Sequence, residues 1–161
     1  PQKMLCDQCP ILNECYAYQN NQTDIFPRKA TKKAIPIYDV VVAYIEENNK
    51  FIITKRPEDK MLGGLWELPG GKREKGEKLE QALKREIKEE LNINIGIKKK
   101  IGKIKHSYSH MKIRLHGFKC NIKKGKIKRK QSDDLKWIDL NQIAKYAFPK
   151  ANHKLFAILQ K

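Results

Sequence analysis

The stretch GGKREKGEKLEQALKREIKEEL, Gly70 to Leu91, sets Glu86, Glu89 and Glu90 in one short run with Arg85 beside them. On a helix, Glu86 and Glu90 stand four apart on one face, and Glu89 falls within about 100° of arc of them. They lie beside the apolar stripe rather than opposite it, a placement that a purely solvated face does not need. Three hard oxygen donors in this pattern suit Mg²⁺ or Mn²⁺, held by a few carboxylates, waters and substrate phosphates. Arg85 is placed to lock a carboxylate or meet a phosphate. The PGGK segment ahead of the run, read as a Gly-rich turn, lets backbone approach a ligand closely. On these residues alone, the wet side of an ordinary helix remains the alternative.

Cys6, Cys9 and Cys15 form a C-x₂-C-x₅-C pattern. A zinc site built from Cys6 and Cys9 with His106 and His110 is disfavoured, because compact zinc modules keep their ligand pairs closer in sequence. A disulfide framework fits poorly with a chain of this composition. Cys120 sits in a strand pattern and reads as a small core residue.

The elements that must position these groups are legible in outline. IPIYDVVVAYIEE and FIITKR are β-branched and apolar, and Asn48-Asn49-Lys50 between them signals a hairpin turn. RPEDKMLGGLWELPGG reads as a structured loop. From Glu77 to Leu91 the apolar residues Leu79, Leu83, Ile87 and Leu91 recur every four, which predicts a helix with one buried stripe. In MKIRLHGFKCNI the alternation changes phase near Gly117, which predicts a bulge. NQIAKYA is helical in pattern, Pro149 interrupts it, and KANHKLFAILQ resumes it. Trp66 and Trp137 read as core anchors, and His106, His116 and His153 as structural residues.

The chain of 161 residues carries a formal charge of +17. Such a balance attracts polyanions, nucleic acid or nucleotides first. Compositional drift is an equal alternative, since 29 Lys stand against only 6 Arg, the residue that specific phosphate contacts favour. The densest patches, Lys98 to Lys105 and Lys123 to Lys130, read as strand edges and a hairpin turn, where charge also blocks aggregation. No run approaches the roughly 18 apolar residues of a membrane helix. The expected location is the cytoplasm, as a monomer without membrane contact. The chain begins with Pro, and its first residues are expected to belong to a longer protein.

The carboxylate stretch resembles the Nudix box. Gly71, Glu77, Arg85, Glu86, Ile87, Glu89, Glu90 and Ile93 match its fixed positions, while Asn92 stands where the family has Gly; Asn tolerates positive φ better than most residues. The resemblance implies that Glu86, Glu89 and Glu90 bind the divalent metal, with one of them acting as base, and that Arg85 belongs to the catalytic group. Glu77 is a weaker metal candidate. Water would attack a diphosphate of a nucleoside compound.

CDQCPILNECYAY is similar to the last three ligands of the iron-sulfur loop of MutY-type adenine DNA glycosylases. That family's further Cys would fall just before Pro1, so a [4Fe-4S] cluster would be complete only in the full-length parent. The loop RPEDKMLGGLWELPGGK is similar to one shared by those glycosylases and by MutT-type 8-oxo-dGTP hydrolases. HSYSHMKIRLHGF looks like the glycosylase Phe-Ser-His loop, with Tyr108 in place of Phe, and implies that Tyr108, Ser109 and His110 read the lesion. Without the family, Tyr108 as core and His110 as a strand-end partner is the simpler reading. YAFPKANHKL matches the glycosylase C-terminal signature.

The resemblance implies an α/β Nudix fold, a mixed β-sheet sandwiched between helices, preceded by a remnant of the iron-sulfur loop. The expected organisation is 1–18 iron-sulfur loop, 19–34 connector and 35–161 Nudix-fold domain. The expected function is recognition of 8-oxoguanine opposite adenine in double-stranded DNA, with the base-excising residues absent from this chain. The alternative is a Mg²⁺-dependent hydrolase of nucleoside triphosphates such as 8-oxo-dGTP. A plain basic DNA-binding module is the third reading.

Overall fold

The computed structural model describes residues 5–26 and 34–160. The chain divides into two compact units, Pro1–Ala34 and Ile35–Lys161. In the first, 3₁₀ turns at Cys6–Gln8 and Leu12–Glu14 precede a single helical turn, α1 (Tyr16–Gln19). Cys6, Cys9 and Cys15 are free thiols that line one hollow with Leu5, Ala17, Thr23 and Phe26. The connector expected over 19–34 falls partly on 27–33, outside the described residues, as do the first four residues of the expected iron-sulfur loop.

The second unit is built on a seven-stranded mixed sheet: β1 (Ile37–Glu47), β2 (Lys50–Lys55), β3 (Trp66–Glu67), β4 (Gly70–Lys72), β5 (Asn94–Ser107), β6 (Lys112–Lys124) and β7 (Asp134–Ile138). Its central order is β3-β2-β1-β6-β5, with β4 on β1 and β7 on β2. The β1–β2 hairpin turns through Asn48 and Asn49, both at positive φ, as a type I′ turn requires. β1 runs parallel to β6 from Ile37 opposite Lys112 to Ile45 opposite Cys120. α2 (Leu79–Leu91) buries Leu83, Ile87 and Leu91 against Val41, Ala43, Ile45 and Phe118 on one face. On the other face, α3 (Lys150–Leu159) packs Leu155 and Phe156 against Val42, Tyr44, Phe51 and Leu115. The result is a mixed sheet flanked by helices. Among the described residues no helix is long and apolar enough to cross a membrane.

Four local expectations change. Gly70–Lys72 is not a turn but strand β4, bonded to Val40–Val42. α2 begins at Leu79 rather than Glu77, because Lys78 is extended and its N–H donates to Gln81 Oε1 (3.0 Å). β6 carries no bulge at Gly117, since its register with β1 is continuous there. Ile113 and Leu115 face α3 while Phe118 and Cys120 face α2, so both faces are buried in turn. The irregularity opposite Gly117 lies on β5, between Lys100 and Gly102. The second basic patch is not a hairpin turn either. It leaves β6 and ties back to the C-terminus of α2 through Lys128 N–H to Leu91 O (2.9 Å) and Lys130 N–H to Glu90 O (3.1 Å).

Trp66 is buried in the α3-side core, and Trp137 is half-buried against the α2-side core. Cys120 is buried, which pushes its thiol up to about 12 and leaves it a small core residue. Residues 91–132 hold 14 Lys and Arg and no Asp or Glu, so the edge strand β5 is a cationic rim that resists pairing with other strands.

A Cβ at Gly117 would lie 2.6 Å from Leu155 Cδ2. Gly117→Ala is therefore expected to lower stability by about 1–3 kcal/mol, read from urea unfolding.

Candidate active site

Arg85, on α2, gathers Glu77, just ahead of its helix, with Glu86 and Glu89 on it. Its Nε and Nη2 donate to the two oxygens of Glu77 at 2.7 and 2.9 Å, a bidentate fork. Its Nη1 donates to Glu86 Oε1 (2.9 Å) and, more loosely, to Glu89 Oε2 (3.4 Å). Nη2 also reaches the Lys72 carbonyl on β4 (3.2 Å), which seats the helix on the strand. Hydrogen bonds from Arg85 hold Glu77 down at about 2.

Glu90 points away from this clasp. It is buried and accepts the Gly70 N–H at 3.0 Å. Burial, together with the charges of Glu67 and Glu86, raises its carboxyl to about 7. Glu86 is also raised, by burial first, with Arg85 opposing. Gly71 lacks a side chain where a Cβ would overlap the Glu86 carboxylate, so the strand lies directly against it. Asn92 ends α2 at φ 60° and ψ 23°, the left-handed geometry for which Asn substitutes for Gly at little cost.

Glu90 forms part of a cleft of about 250 Å³ on the α3 side of the sheet. Val42, Met111, Ile113 and Leu115 supply its apolar wall, and Arg56, Lys60 and Lys72 bring positive charge. Arg56 is committed to Glu67 through two bonds of 2.7 and 2.8 Å, and its Nε donates to Met61 O. Asn152 also lines the cleft; it is buried, and its Oδ1 has no hydrogen-bond partner among the described residues. Tyr108 lines the same cleft and meets His106 edge to face (4.7 Å). Ser109 and His110 are exposed beside it, with His110 Nε2 3.1 Å from Met61 Sδ.

Tyr108, Glu90 and Gly71 thus meet at one cleft, whereas Glu86 and Glu89 turn to Arg85. Among the described residues no three His, Cys, Asp or Glu side chains form an assembled metal cage, at the carboxylates or at the cysteines. The carboxylate donor set nevertheless fits a divalent cation. Glu86 and Glu90 offer hard oxygen donors, both partly or fully buried and both facing like charge, which a positive ion would relieve.

Residues the sequence did not single out complete the site. Asp39, a lone charge inside the β1 apolar run, accepts Arg73 Nη2 (3.0 Å) and Arg114 Nη2 (2.7 Å), and its other oxygen accepts from His116 Nε2 (3.0 Å). Its interruption of IPIYDVVVAY was the available signal. Glu67 and Arg56 flank one loop with opposite charges, also a usable signal; nothing set Asn152 apart. His153 is exposed and meets Phe148 edge to face.

Three relatives bear on what this arrangement does. The NUDIX domain family matches residues 40–157. The chain is 37% identical over 123 residues to an 8-oxo-dGTP diphosphatase of Buchnera aphidicola subsp. Schizaphis graminum, covering 76% of this chain and 93% of that protein. It is 27% identical over 162 residues to an adenine DNA glycosylase of the same organism, covering 99% of this chain and 44% of that protein. The crystal structure of a MutT protein from Methanosarcina mazei Go1 shares the fold, with a TM-score of 0.73 and 23% identity, covering 80% of this chain and 96% of that one.

Burial acts to raise Asp39, but hydrogen bonds from His116, Arg114 and Arg73 outweigh it and hold the carboxyl at about 2, below its ordinary 3.8. A folded value below the unfolded one stabilises the fold above about pH 4, and that contribution is lost as pH falls toward about 2. Solvent at Arg73 and Arg114 limits it to the order of 1–2 kcal/mol. Urea unfolding from pH 5 to 2 should show a steeper loss for the wild-type chain than for Asp39→Asn.

Proposed function

The chain belongs to the Nudix family, and on that premise we propose that it hydrolyses an oxidised purine nucleoside triphosphate, such as 8-oxo-dGTP, to the monophosphate and pyrophosphate. The observation that carries this reading is the cleft itself. An apolar slot with one buried, unpartnered amide oxygen at Asn152 leads to the buried carboxylate of Glu90. A flat base can enter the slot and present a donor to Asn152, while its phosphates meet Lys60 and Lys72. The name and coverage of the Buchnera diphosphatase support the same substrate class.

In this reading Glu86 and Glu90 hold Mg²⁺ or Mn²⁺, which when bound neutralises phosphate charge and lowers the pKa of water. Glu89 is half-exposed and held only at 3.4 Å, so it is the glutamate free to take a proton from water. The water oxygen attacks phosphorus, the bridging phosphoanhydride bond breaks, and pyrophosphate leaves with the electron pair. Arg85 orients Glu86 and Glu89 and does not itself meet the reacting atoms.

A second reading has its own support. The alignment to the glycosylase spans nearly the whole chain, including the cysteine stretch, although the chain spans less than half of that protein. Tyr108, Ser109 and His110 lie at the tip of the acid-free β5–β6 hairpin, whose charge suits a phosphate backbone. We propose that in such a parent the cleft meets 8-oxoguanine opposite adenine in DNA. Cys6, Cys9 and Cys15 offer three of the four thiolates that a [4Fe-4S] cluster takes, and no step is assigned to them. The cytoplasm is the location we propose for either role.

Pyrophosphate release from 8-oxo-dGTP with Mg²⁺ is the direct test. The wild-type chain should turn over, and Glu89→Gln/Glu90→Gln should fall by at least about 10²-fold in kcat. Asn152→Ala should lose its preference for 8-oxo-dGTP over dGTP while retaining turnover. No release by the wild-type chain refutes the hydrolase reading. Ser109→Ala should weaken preference for an 8-oxoguanine duplex without altering the salt slope if the hairpin tip reads the lesion.

A further inference from the structure

Arg73 joins two networks that lie on different elements. Its own N–H donates to the Asp39 carbonyl (2.9 Å) and its Nη2 to the Asp39 carboxylate (3.0 Å), so it is doubly fixed to β1. Its Nη1 donates to the Glu77 carbonyl (2.9 Å), immediately ahead of α2. Glu77 in turn presents both carboxylate oxygens to Arg85, which holds Glu86 and Glu89. Asp39 is itself fixed from the neighbouring parallel strand by Arg114 and His116.

We propose that Arg73, anchored by Asp39, is a positioning residue that sets where the Glu77–Arg85 clasp, and with it the carboxylates of α2, stands relative to the sheet. This rests on the hydrolase reading, in which those carboxylates hold the cation. The physical reason is the backbone on either side. Residues 73–78 link β4 to α2 without regular structure, so within this link Arg73 adds a tie from β1 to the residue just ahead of the helix, beside the Arg85 bond to the Lys72 carbonyl and the packing of Ala82 and Leu83. The guanidinium fork spans two acceptors at once, which an ammonium cannot do in the same geometry. Arg114 is the internal comparison: it reaches the same Asp39 carboxylate but, among the described residues, makes no bond to the helix.

The test measures binding of Mn²⁺ alone by electron paramagnetic resonance in wild type, Arg73→Met, Arg73→Lys, Arg114→Met, Glu77→Gln and the Arg73→Met/Glu77→Gln double variant. Groups that orient ligands without touching a metal typically cost about 10–100-fold in affinity when removed. Arg73→Met is expected to weaken Mn²⁺ about tenfold, with Arg73→Lys recovering part of the loss. Arg114→Met is expected to lower the melting temperature yet stay within about twofold of wild type in Mn²⁺ affinity. In the Glu77→Gln background Arg73→Met should add less than about twofold, because the carbonyl that Arg73 holds no longer leads through a carboxylate to Arg85. Kinetics with 8-oxo-dGTP should show a fall in kcat with KM nearly unchanged.

The proposal is overturned if Arg73→Met binds Mn²⁺ as wild type does, if Arg114→Met loses as much, if the losses at Arg73 and Glu77 add in full, or if the wild-type chain binds no Mn²⁺. A wild-type chain that binds Mn²⁺ with the expected coupling but releases no pyrophosphate supports the positioning role and sinks the hydrolase reading alone.

Discussion

The site depends on one guanidinium meeting several carboxylates that would otherwise repel one another. Glu77, Glu86 and Glu89 all contact Arg85, and Glu90 lies buried nearby under Gly70. Burial first, and then the charges of neighbouring acids, push the Glu86 and Glu90 carboxyls up; for Glu90 the foremost such charge is Glu67 on β3. Arg85 holds that tendency in check at the exposed end and leaves Glu90, at the cleft, with its charge poorly compensated. A cation beside Glu90 would relieve that charge.

The sheet makes this arrangement possible because its central strands are covered on both sides. β1 and β6 alternate their side chains between the α2 core and the α3 core, so one pair of strands seats the carboxylate helix behind and walls the cleft in front. Gly70 and Gly71 on β4 carry the connection between the two. The first gives its N–H to Glu90, and the second leaves room for Glu86. Cleft and acid cluster therefore share a strand, and a shift of β4 would disturb both.

Much of this was legible from local sequence. The four-residue period from Leu79 to Leu91 marks the helix, Asn48-Asn49 marks the hairpin, and Asn92 carries the left-handed conformation expected of its position. These features are set by neighbours within a few residues. What was hidden depends on distant partners: the strand character of Gly70–Lys72, the parallel pairing of β1 with β6, and the convergence of Arg73, Arg114 and His116 on Asp39. Gly117 is instructive, since the phase change around it was visible but its cause, burial of β6 against α3 on one face and α2 on the other, with Leu155 filling the space over the glycine, was not. The gathering of the three glutamates also looked simpler in sequence than it is, because spacing on a helix does not say that Glu90 turns to the cleft while its neighbours turn to Arg85.

The separation along the chain of the residues that meet at Asp39 has a kinetic consequence. Arg114 and His116 lie 75 and 77 residues from it, and Arg73 lies 34 away, whereas Arg85 reaches Glu77 across only 8. Loops of the shorter kind close readily, while parallel strands joined over such distances close late. During folding the acidic helix can coil and clasp itself before the sheet exists to receive it. The nascent chain would then carry its chemistry as a loose cassette until the last strand docks.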